Sequence, residues 1–114
     1  VSLVSTVIAG TGVPTLPRAG GILALSNYPN PFNPATTIRV DFEEGTAGDE
    51  AEISVYGVDG RLVRRLYRGA LAGDRLEVAW DGRNDGGSPV GSGVYFYSVR
   101  RGGILGTGKM IMLK

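Results

Sequence analysis

The segment DGRNDGG at positions 81–87 holds the densest group of side chains that could do chemistry. Asp81, Asn84 and Asp85 carry oxygen atoms of the kind that coordinate calcium. Asp81 and Asp85 are also the most distinctive candidates for the carboxylate pair of a glycosidase. However, an arginine lies inside the segment, and the bidentate glutamate of an EF-hand loop is missing. We therefore expect these side chains to hold a wide turn by accepting backbone hydrogen bonds, without a metal or a substrate.

The amino-acid composition of the whole chain limits which reactions and ligands the protein could support. The 114 residues include no His and no Cys, so the usual proton shuttle, the thiol nucleophile, disulfides and most zinc or copper ligands are absent. The 12 Lys and Arg residues nearly balance the 11 Asp and Glu residues, and no net field favours nucleic acid or an anionic membrane. We expect no enzymatic activity, no cofactor and no nucleic-acid partner.

Two other groups of residues could have a binding function. The arginines between positions 61 and 68 could form an anion-binding patch, but strand alternation would divide them between two faces, where charges prevent edge-to-edge pairing. The aromatic residues at 95–97 could stack on a carbohydrate. They lie in a run with two apolar faces, which favours packing in a core.

The spacing of apolar residues predicts the elements that position these groups. Nineteen Gly and six Pro divide the chain into short runs of alternating character, and no helical periodicity is present. Trp80 falls on an apolar face, and Asp59-Gly60 predicts a hairpin with a type I′ turn. The pattern indicates an all-β protein, an immunoglobulin-like antiparallel sandwich of about seven strands. The predicted strands are 22–26, 36–42, 51–57, 61–67, 74–80, 94–100 and 106–114.

The segment NYPNPFNPATT at 27–37 can form neither a helix nor a central strand. Its prolines fix φ and remove backbone donors, so we expect a stiff, irregular path. Tyr28 and Phe32 are its large apolar groups, and we expect both to plug one end of the sandwich beside the core anchor Trp80. Asn30 and Asn33 precede prolines, and we expect their amides to close local Asx turns.

Five motifs in this order resemble a known family: LSNYPNPFNPATTI, V-Y-x-x-x-G-R-L-V, WDGRNDGG, PVGSGVYFY and KMIMLK. From about residue 23 to 114 the chain resembles the C-terminal sorting domain of type IX secretion substrates, and also the immunoglobulin-like domain of the flagellar hook-capping protein. The resemblance implies a sandwich without activity of its own, on a protein that is secreted, extracellular or on the surface of a bacterium. It also implies that the secretion machinery reads the terminal residues Lys109, Met110, Ile111, Met112, Leu113 and Lys114.

The first 21 residues fall outside this resemblance and form a second predicted unit, an apolar strand with a Gly/Pro connector, before the sandwich at 22–114. The run VSLVSTVIA is β-prone, yet it is too short and too rich in Ser and Thr to be a transmembrane segment. Exposed in water it would aggregate, so it needs a groove, either in its own sandwich or in a neighbouring copy. The residues of this possible self-assembly strand are Val1, Leu3, Val4, Val7 and Ile8.

Two hypotheses of function therefore remain open. In the first, the chain is a non-catalytic type IX sorting and surface-attachment module, and its partner is the secretion machinery. In the second, it is a structural subunit of an extracellular filament, which polymerises when the strand at about 1–9 inserts into the sandwich of another copy.

Overall fold

The computed structural model describes residues 21–43 and 48–114. The apolar strand that the sequence predicts at 1–9 lies outside these residues. The described part of the chain contains seven strands and no helix. They are β1 (Ile22–Tyr28), β2 (Thr36–Phe42), β3 (Glu50–Gly57), β4 (Leu62–Ala70), β5 (Arg75–Trp80), β6 (Gly93–Arg101) and β7 (Ile104–Met112). Within the same residues there is no helix with the length and hydrophobicity needed to traverse a bilayer.

The strands form two sheets that pack face to face. One sheet has three strands in the order β1-β2-β5, and the other has four in the order β4-β3-β6-β7. Every pair of neighbouring strands is antiparallel. The all-β sandwich that the sequence predicts is confirmed, and β6, which has two apolar faces, is central as expected.

Alternation within the strands builds the core between the sheets. In β2 the side chains of Ile38, Val40 and Phe42 are at most 2% exposed, whereas those between them point outward. The opposite layer contributes buried residues of β3, β6 and β7, including Ile53 and Val99. Because burial of one such side chain contributes about 1.5–3 kcal/mol, this shared core is the main source of stability.

The hairpin between β3 and β4 turns one residue earlier than the sequence predicts. Gly60 N donates to Gly57 O at 3.0 Å, so Val58 and Asp59 are the central residues, and Gly60 follows with a φ of +81°. Asp59 Oδ1 accepts a hydrogen bond from Arg61 N at 3.0 Å. The side chain of Asp59 thus stabilises the exit of the turn, and only a residue tolerant of positive φ suits position 60.

The pairing of β3 with β4 contains two register shifts, one after Ile53 and one after Val55. These shifts place Arg64 beside Val55 and Arg65 beside Ser54. Because Val55 faces the core and Ser54 faces outward, the two neighbouring arginines diverge. Arg65 pairs with Glu52 on the outer face, with Nε 2.8 Å from Oε2. Arg64 is directed toward the loop that follows β5.

The outer face of the three-stranded sheet carries a ladder of paired charges. Arg75 Nε lies 2.8 Å from Asp41 Oδ1, Arg39 Nε lies 3.6 Å from Asp41 Oδ2, and Arg39 Nε lies 4.0 Å from Glu77 Oε2. The hydrogen bond from Arg75 and the charges of both arginines lower the pKa of Asp41. Each charge on this ladder therefore has an opposite charge beside it.

Candidate functional site

The proline segment and the end of β7 form one structural unit. Phe32 N donates to Ile111 O, and Leu113 N donates to Phe32 O, both at 2.9 Å. Phe32 and Met112 are therefore paired in parallel at the edge of the four-stranded sheet. The segment that cannot form a central strand thus covers the edge of the last strand.

The side chain of Asn30 extends this pairing by one residue. Asn30 Oδ1 accepts a hydrogen bond from Ile111 N at 3.0 Å, and Asn30 Nδ2 donates to Lys109 O at 3.4 Å. The expectation of a local Asx turn is therefore wrong for Asn30. Pro29 and Pro31, on either side of Asn30, have no backbone N–H to donate. The side-chain amide of Asn30 pairs with the edge of β7 as a backbone peptide group would.

Phe32 also joins an aromatic cluster beneath this edge. Its ring centroid lies 5.6 Å from that of Trp80, and Tyr95 meets Trp80 edge-on at 5.3 Å. Phe32 is 2% exposed and Trp80 is fully buried, and Trp80 Nε1 donates to Arg83 O at 2.9 Å. The cluster links the proline segment, the end of β5 and the start of β6 through apolar contact and one satisfied indole donor.

Tyr28 takes no part in this cluster, and the expectation that it plugs one end of the sandwich is wrong. Its side chain is 83% exposed. β1 continues through Tyr28, and its inward positions include Leu25 and Asn27. Since neighbouring side chains of a strand point to opposite faces, the ring of Tyr28 points outward.

The loop after β5 contains the three residues that the sequence offered as weak metal candidates. Asp81 Oδ1 accepts a hydrogen bond from the backbone N two residues later, and Asn84 Oδ1 from the backbone N four residues later, both at 3.0 Å. Asp85 Oδ1 accepts a hydrogen bond from Arg65 N of β4 at 3.1 Å. These oxygens hold the loop in shape and fasten it to β4.

Arg64 of β4 brings a second positive charge to this loop, which already contains Arg83. Its Nη1 donates to Asp81 Oδ1 and to Arg83 O, each at 3.2 Å, and its Nε lies 3.9 Å from Asp85 Oδ1. The described residues include no group of three or more His, Cys, Asp or Glu side chains that could hold a metal ion. The role of Arg64 was missed from the sequence because it depends on the register shifts of β4.

Gly82 lets this loop pass directly over the proline segment and β7. Its φ is +77°, and a Cβ at this position would lie 2.7 Å from Pro34 O and 3.0 Å from the methyl carbon of Met112. A side chain would be strained there and would also collide with backbone. Gly82 therefore fixes the contact of three segments whose motifs are far apart in the sequence.

The terminal residues that the sequence marks as a sorting element divide between two faces. Met110 and Met112 are fully buried in the core. The others lie on the outer face or beyond the end of β7, where Lys114 N donates to Ser92 Oγ at 2.9 Å. A partner that meets the folded domain can contact only these outward residues, which are Lys109, Ile111, Leu113 and Lys114.

Near the C-terminus, the outer face of the four-stranded sheet is apolar and aromatic. Pairing places Leu62, Tyr56, Phe96 and Lys109 in one row across the four strands, and Val94 beside Ile111 in the next row. Leu62, Phe96 and Leu113 are 40%, 38% and 55% exposed. We call this surface the C-terminal face. Its residues are Tyr56, Leu62, Val94, Phe96, Lys109, Ile111 and Leu113.

The three consecutive aromatic residues of β6 do not share a face. Phe96 belongs to the C-terminal face, whereas Tyr95 and Tyr97 point into the sandwich. Burial raises the pKa of Tyr97 to about 12. A Cβ on Gly108, the residue opposite on β7, would overlap the ring of Tyr97, so the ring lies across this glycine. These residues do not form a common stacking platform.

The seven-strand sandwich with a covered terminal strand defines an immunoglobulin-like module, and comparison with known proteins gives its family. The model of the FlgD Ig-like domain matches residues 27–102. The chain therefore belongs to the FlgD Ig-like domain family, which confirms the family predicted from the motifs. No curated protein sequence gave a significant match.

Two solved structures from Porphyromonas gingivalis share this fold. Dimeric latent PorU is 26% identical over 78% of this chain, with a TM-score of 0.63. PorZ, an essential bacterial surface component of the type IX secretion system, is 23% identical over 79% of this chain, with a TM-score of 0.53. At that identity PorZ supports the fold alone. The chain spans about a tenth of each protein, 9% of PorU and 11% of PorZ.

Proposed function

We propose that this chain is a non-catalytic module of a secreted bacterial protein, recognised by the type IX secretion machinery and retained at the cell surface. The observation that carries the proposal is the pairing of Asn30 and Phe32 with Lys109, Ile111 and Leu113. The segment NPF belongs to the motif LSNYPNPFNPATTI, and KMIMLK is the terminal motif of the same sorting-domain resemblance. In the folded chain they form one unit at the C-terminus.

The comparisons support the same proposal. The chain belongs to the FlgD Ig-like domain family, and it shares its fold with part of a surface component of the type IX secretion system. A location outside the cell or on its surface follows from this proposed role. The expected partner is a component of the secretion machinery.

The contacts of the carboxylates support a module without catalysis. Asp81 and Asp85, the candidate glycosidase pair, accept hydrogen bonds from backbone N–H groups and face Arg64. The Oδ1 atom of each carboxylate is thus engaged in contacts within the chain. We infer that this loop has a structural role.

A reporter fusion tests the function. A soluble reporter enzyme is placed before residue 1 of the full chain, with an export signal, in a bacterium that has a type IX secretion system. We expect protease-accessible reporter at the surface or in the medium, and retention in the periplasm when the system is deleted. The reporter without this chain is the control. Retention of the fusion in the intact strain would contradict the proposal.

The filament hypothesis depends on residues 1–9, which lie outside the described residues, and it stays a prediction. Light scattering of the full chain across a concentration series tests it. Filaments that disappear when residues 1–9 are deleted are the expected result of strand exchange, whereas a monomer at every concentration would contradict it.

A further inference from the structure

The main-chain edge of β7 is already occupied near the C-terminus. Ile111 uses both its N–H and its C=O, Leu113 uses its N–H, and Lys109 uses its C=O, and all the partners belong to Asn30 or Phe32. A protein that recognised this part of the strand by β-strand addition would first have to displace the proline segment. Without that displacement, the terminal strand is available only through its side chains.

These side chains are part of a broader apolar surface. On the C-terminal face, Ile111 lies beside Val94 of β6, and Lys109 lies beside Phe96, whose row continues to Tyr56. Leu113 follows directly after the end of β7. Exposed apolar residues that are scattered singly need no explanation, but a continuous group is typical of an interaction surface. Aromatic residues at its centre are typical of protein interfaces.

The charge of this outer face indicates the chemistry of the partner. No ion pair of Lys109 or Lys114 is found among the described residues. Outward positions of the four-stranded sheet carry more basic than acidic side chains, and the described ion pair among them joins Arg65 to Glu52. The basic residues are Arg65, Arg68, Arg100 and Lys109, and the acidic ones are Glu50 and Glu52. A complementary surface would therefore be acidic.

We propose that the C-terminal face is the docking surface for a protein of the secretion machinery, whose own surface is apolar and bordered by carboxylates. The proposal rests on the proposed function and specifies its contact. Phe96, Ile111 and Leu113 supply the apolar contact. Lys109 supplies charge within the C-terminal face, and Lys114, which follows Leu113 in the chain, supplies charge next to it. The partner recognises the folded sandwich by its side chains, while Asn30 and Phe32 keep the edge of β7 covered.

Two leucines with nearly equal exposure provide a matched test. Leu113, 55% exposed, belongs to the C-terminal face, whereas Leu105, 59% exposed, lies on the same side of β7 at its far end beside Arg100. In the reporter fusion, we expect Leu113→Ser and Phe96→Ser each to reduce export about tenfold, as the loss of an interface anchor does. We expect Leu105→Ser to export as the unchanged fusion does.

Thermal unfolding of the three purified full-length variants separates docking from folding, because each substitution is at an exposed site. Unfolding temperatures close to that of the unchanged chain, together with the export defect, support the proposal. Equal export by all variants would overturn it while leaving the proposed function intact. Retention of the unchanged fusion would instead contradict the proposed function, so the two failures are distinguishable.

Charge variants test the acidic border of the partner. We expect Lys109→Glu to reduce export and Lys109→Arg to preserve it, because only the former reverses the charge beside Phe96. Equal export by both variants would overturn the charge complementarity. A defect in both variants would point to a requirement for the lysine itself and would likewise contradict it.

Two other occupants of the C-terminal face are tested with the purified full chain. Dimerisation that Phe96→Ser abolishes would overturn the proposal, because the surface would then be filled by a second copy. Binding to vesicles of phosphatidylglycerol and phosphatidylcholine that Phe96→Ser abolishes would also overturn it, in favour of a lipid surface. A monomer that does not bind these vesicles, combined with the export defect, supports a protein partner.

Discussion

The outer faces of the two sheets expose opposite kinds of side chain, paired charges on one sheet and apolar groups on the other. On the three-stranded sheet, Asp41 lies between Arg39 and Arg75, and the charges neutralise one another within the chain. On the four-stranded sheet, the C-terminal face leaves Phe96 and Leu113 exposed, and Lys109 has no described ion pair. The charges on the three-stranded sheet are therefore paired within the chain, whereas the lysine on the C-terminal face has no described ion pair.

This difference cannot be explained by stability alone. Exposed ion pairs contribute roughly 0–1 kcal/mol, so the charged ladder adds little to the folding free energy. Exposed apolar groups on a strand surface carry a risk of aggregation. The ladder is therefore best understood as a surface that discourages association, and the C-terminal face as a surface that association requires.

The largest expected effect comes from the core that both faces share. Trp80→Ala removes the centre of the Phe32–Trp80–Tyr95 cluster and should destabilise the fold by about 3–5 kcal/mol. Phe96→Ala, on the exposed C-terminal face, should cost less than about 1 kcal/mol. Urea unfolding monitored by circular dichroism measures both. Similar losses for the two variants would show that Phe96 is a core residue and would remove the basis of the comparison.

The next effect concerns the covered edge of β7. Asn30→Ala removes the hydrogen bonds with Ile111 N and Lys109 O, and also an exposed one to Asn27 Oδ1 at 3.4 Å, and should cost about 1–2 kcal/mol. Asn33→Ala is the matched control, since Asn33 also precedes a proline and has no described hydrogen bond. It should change stability by less than about 0.5 kcal/mol.

Hydrogen exchange localises the Asn30 effect. In Asn30→Ala, the amide of Ile111 should lose protection while amides in the middle of β2 keep theirs. An unchanged Ile111 amide would mean that Asn30 does not cover this edge. The docking proposal would then lose its argument against strand addition.

How far the sequence predicts this architecture depends on the distance over which each interaction acts. The alternation at 36–42 gave the bounds of β2, and the same period placed Trp80 toward the core. Tyr28 was assigned wrongly because its strand was predicted to end at 26, so its outward position in the alternation was not recognised.

The site itself was less predictable. The amide of Asn30 reaches a residue 81 positions away, and local turn chemistry contains no information about such a partner. The direction of Arg64 follows from register shifts in β4, which leave no mark on the hydrophobic pattern. The motifs at both ends of the unit were visible in the sequence, but the pairing that joins them was not.

Alkaline titration probes the interior beneath the C-terminal face. The pKa of Tyr97 is raised to about 12 in the folded chain, above its ordinary value of 10.0, because burial disfavours the phenolate. The folded state therefore holds this proton more tightly than the unfolded state. The contribution to stability is complete below pH 10 and is lost as the pH rises from 10 toward 12.

The variant Tyr97→Phe isolates that contribution. Its urea midpoint should fall less between pH 9 and pH 11.5 than that of the unchanged chain. Tyr28→Phe is the control, because it removes the same hydroxyl group from a ring that is 83% exposed and lies outside the core. Parallel curves for all three proteins would contradict a buried Tyr97 hydroxyl.

The smallest expected change in stability comes from a substitution in the charged ladder. The pKa of Asp41 is lowered from 3.8 by the hydrogen bond from Arg75 and by the charges of Arg39 and Arg75. The folded state therefore favours the carboxylate, and its contribution is present above pH 3.8 and lost as the pH falls below it. Asp41→Asn should lower the urea midpoint slightly at pH 7 in low salt and have less effect at pH 2.5 or in 1 M salt.

Association gives the more informative measurement for the ladder. Asp41→Asn leaves Arg39 with Glu77 and removes the carboxylate that is hydrogen-bonded to Arg75. The three-stranded sheet would therefore carry an excess of basic charge, as the other sheet does. If unpaired charge were enough for recognition, this variant would gain binding to acidic proteins at low salt. We expect no such gain in a binding assay with an acidic protein such as serum albumin, because this face has no group comparable to Phe96, Ile111 and Leu113. If Asp41→Asn did gain binding to the acidic protein, charge alone, without apolar contact, would distinguish the two faces.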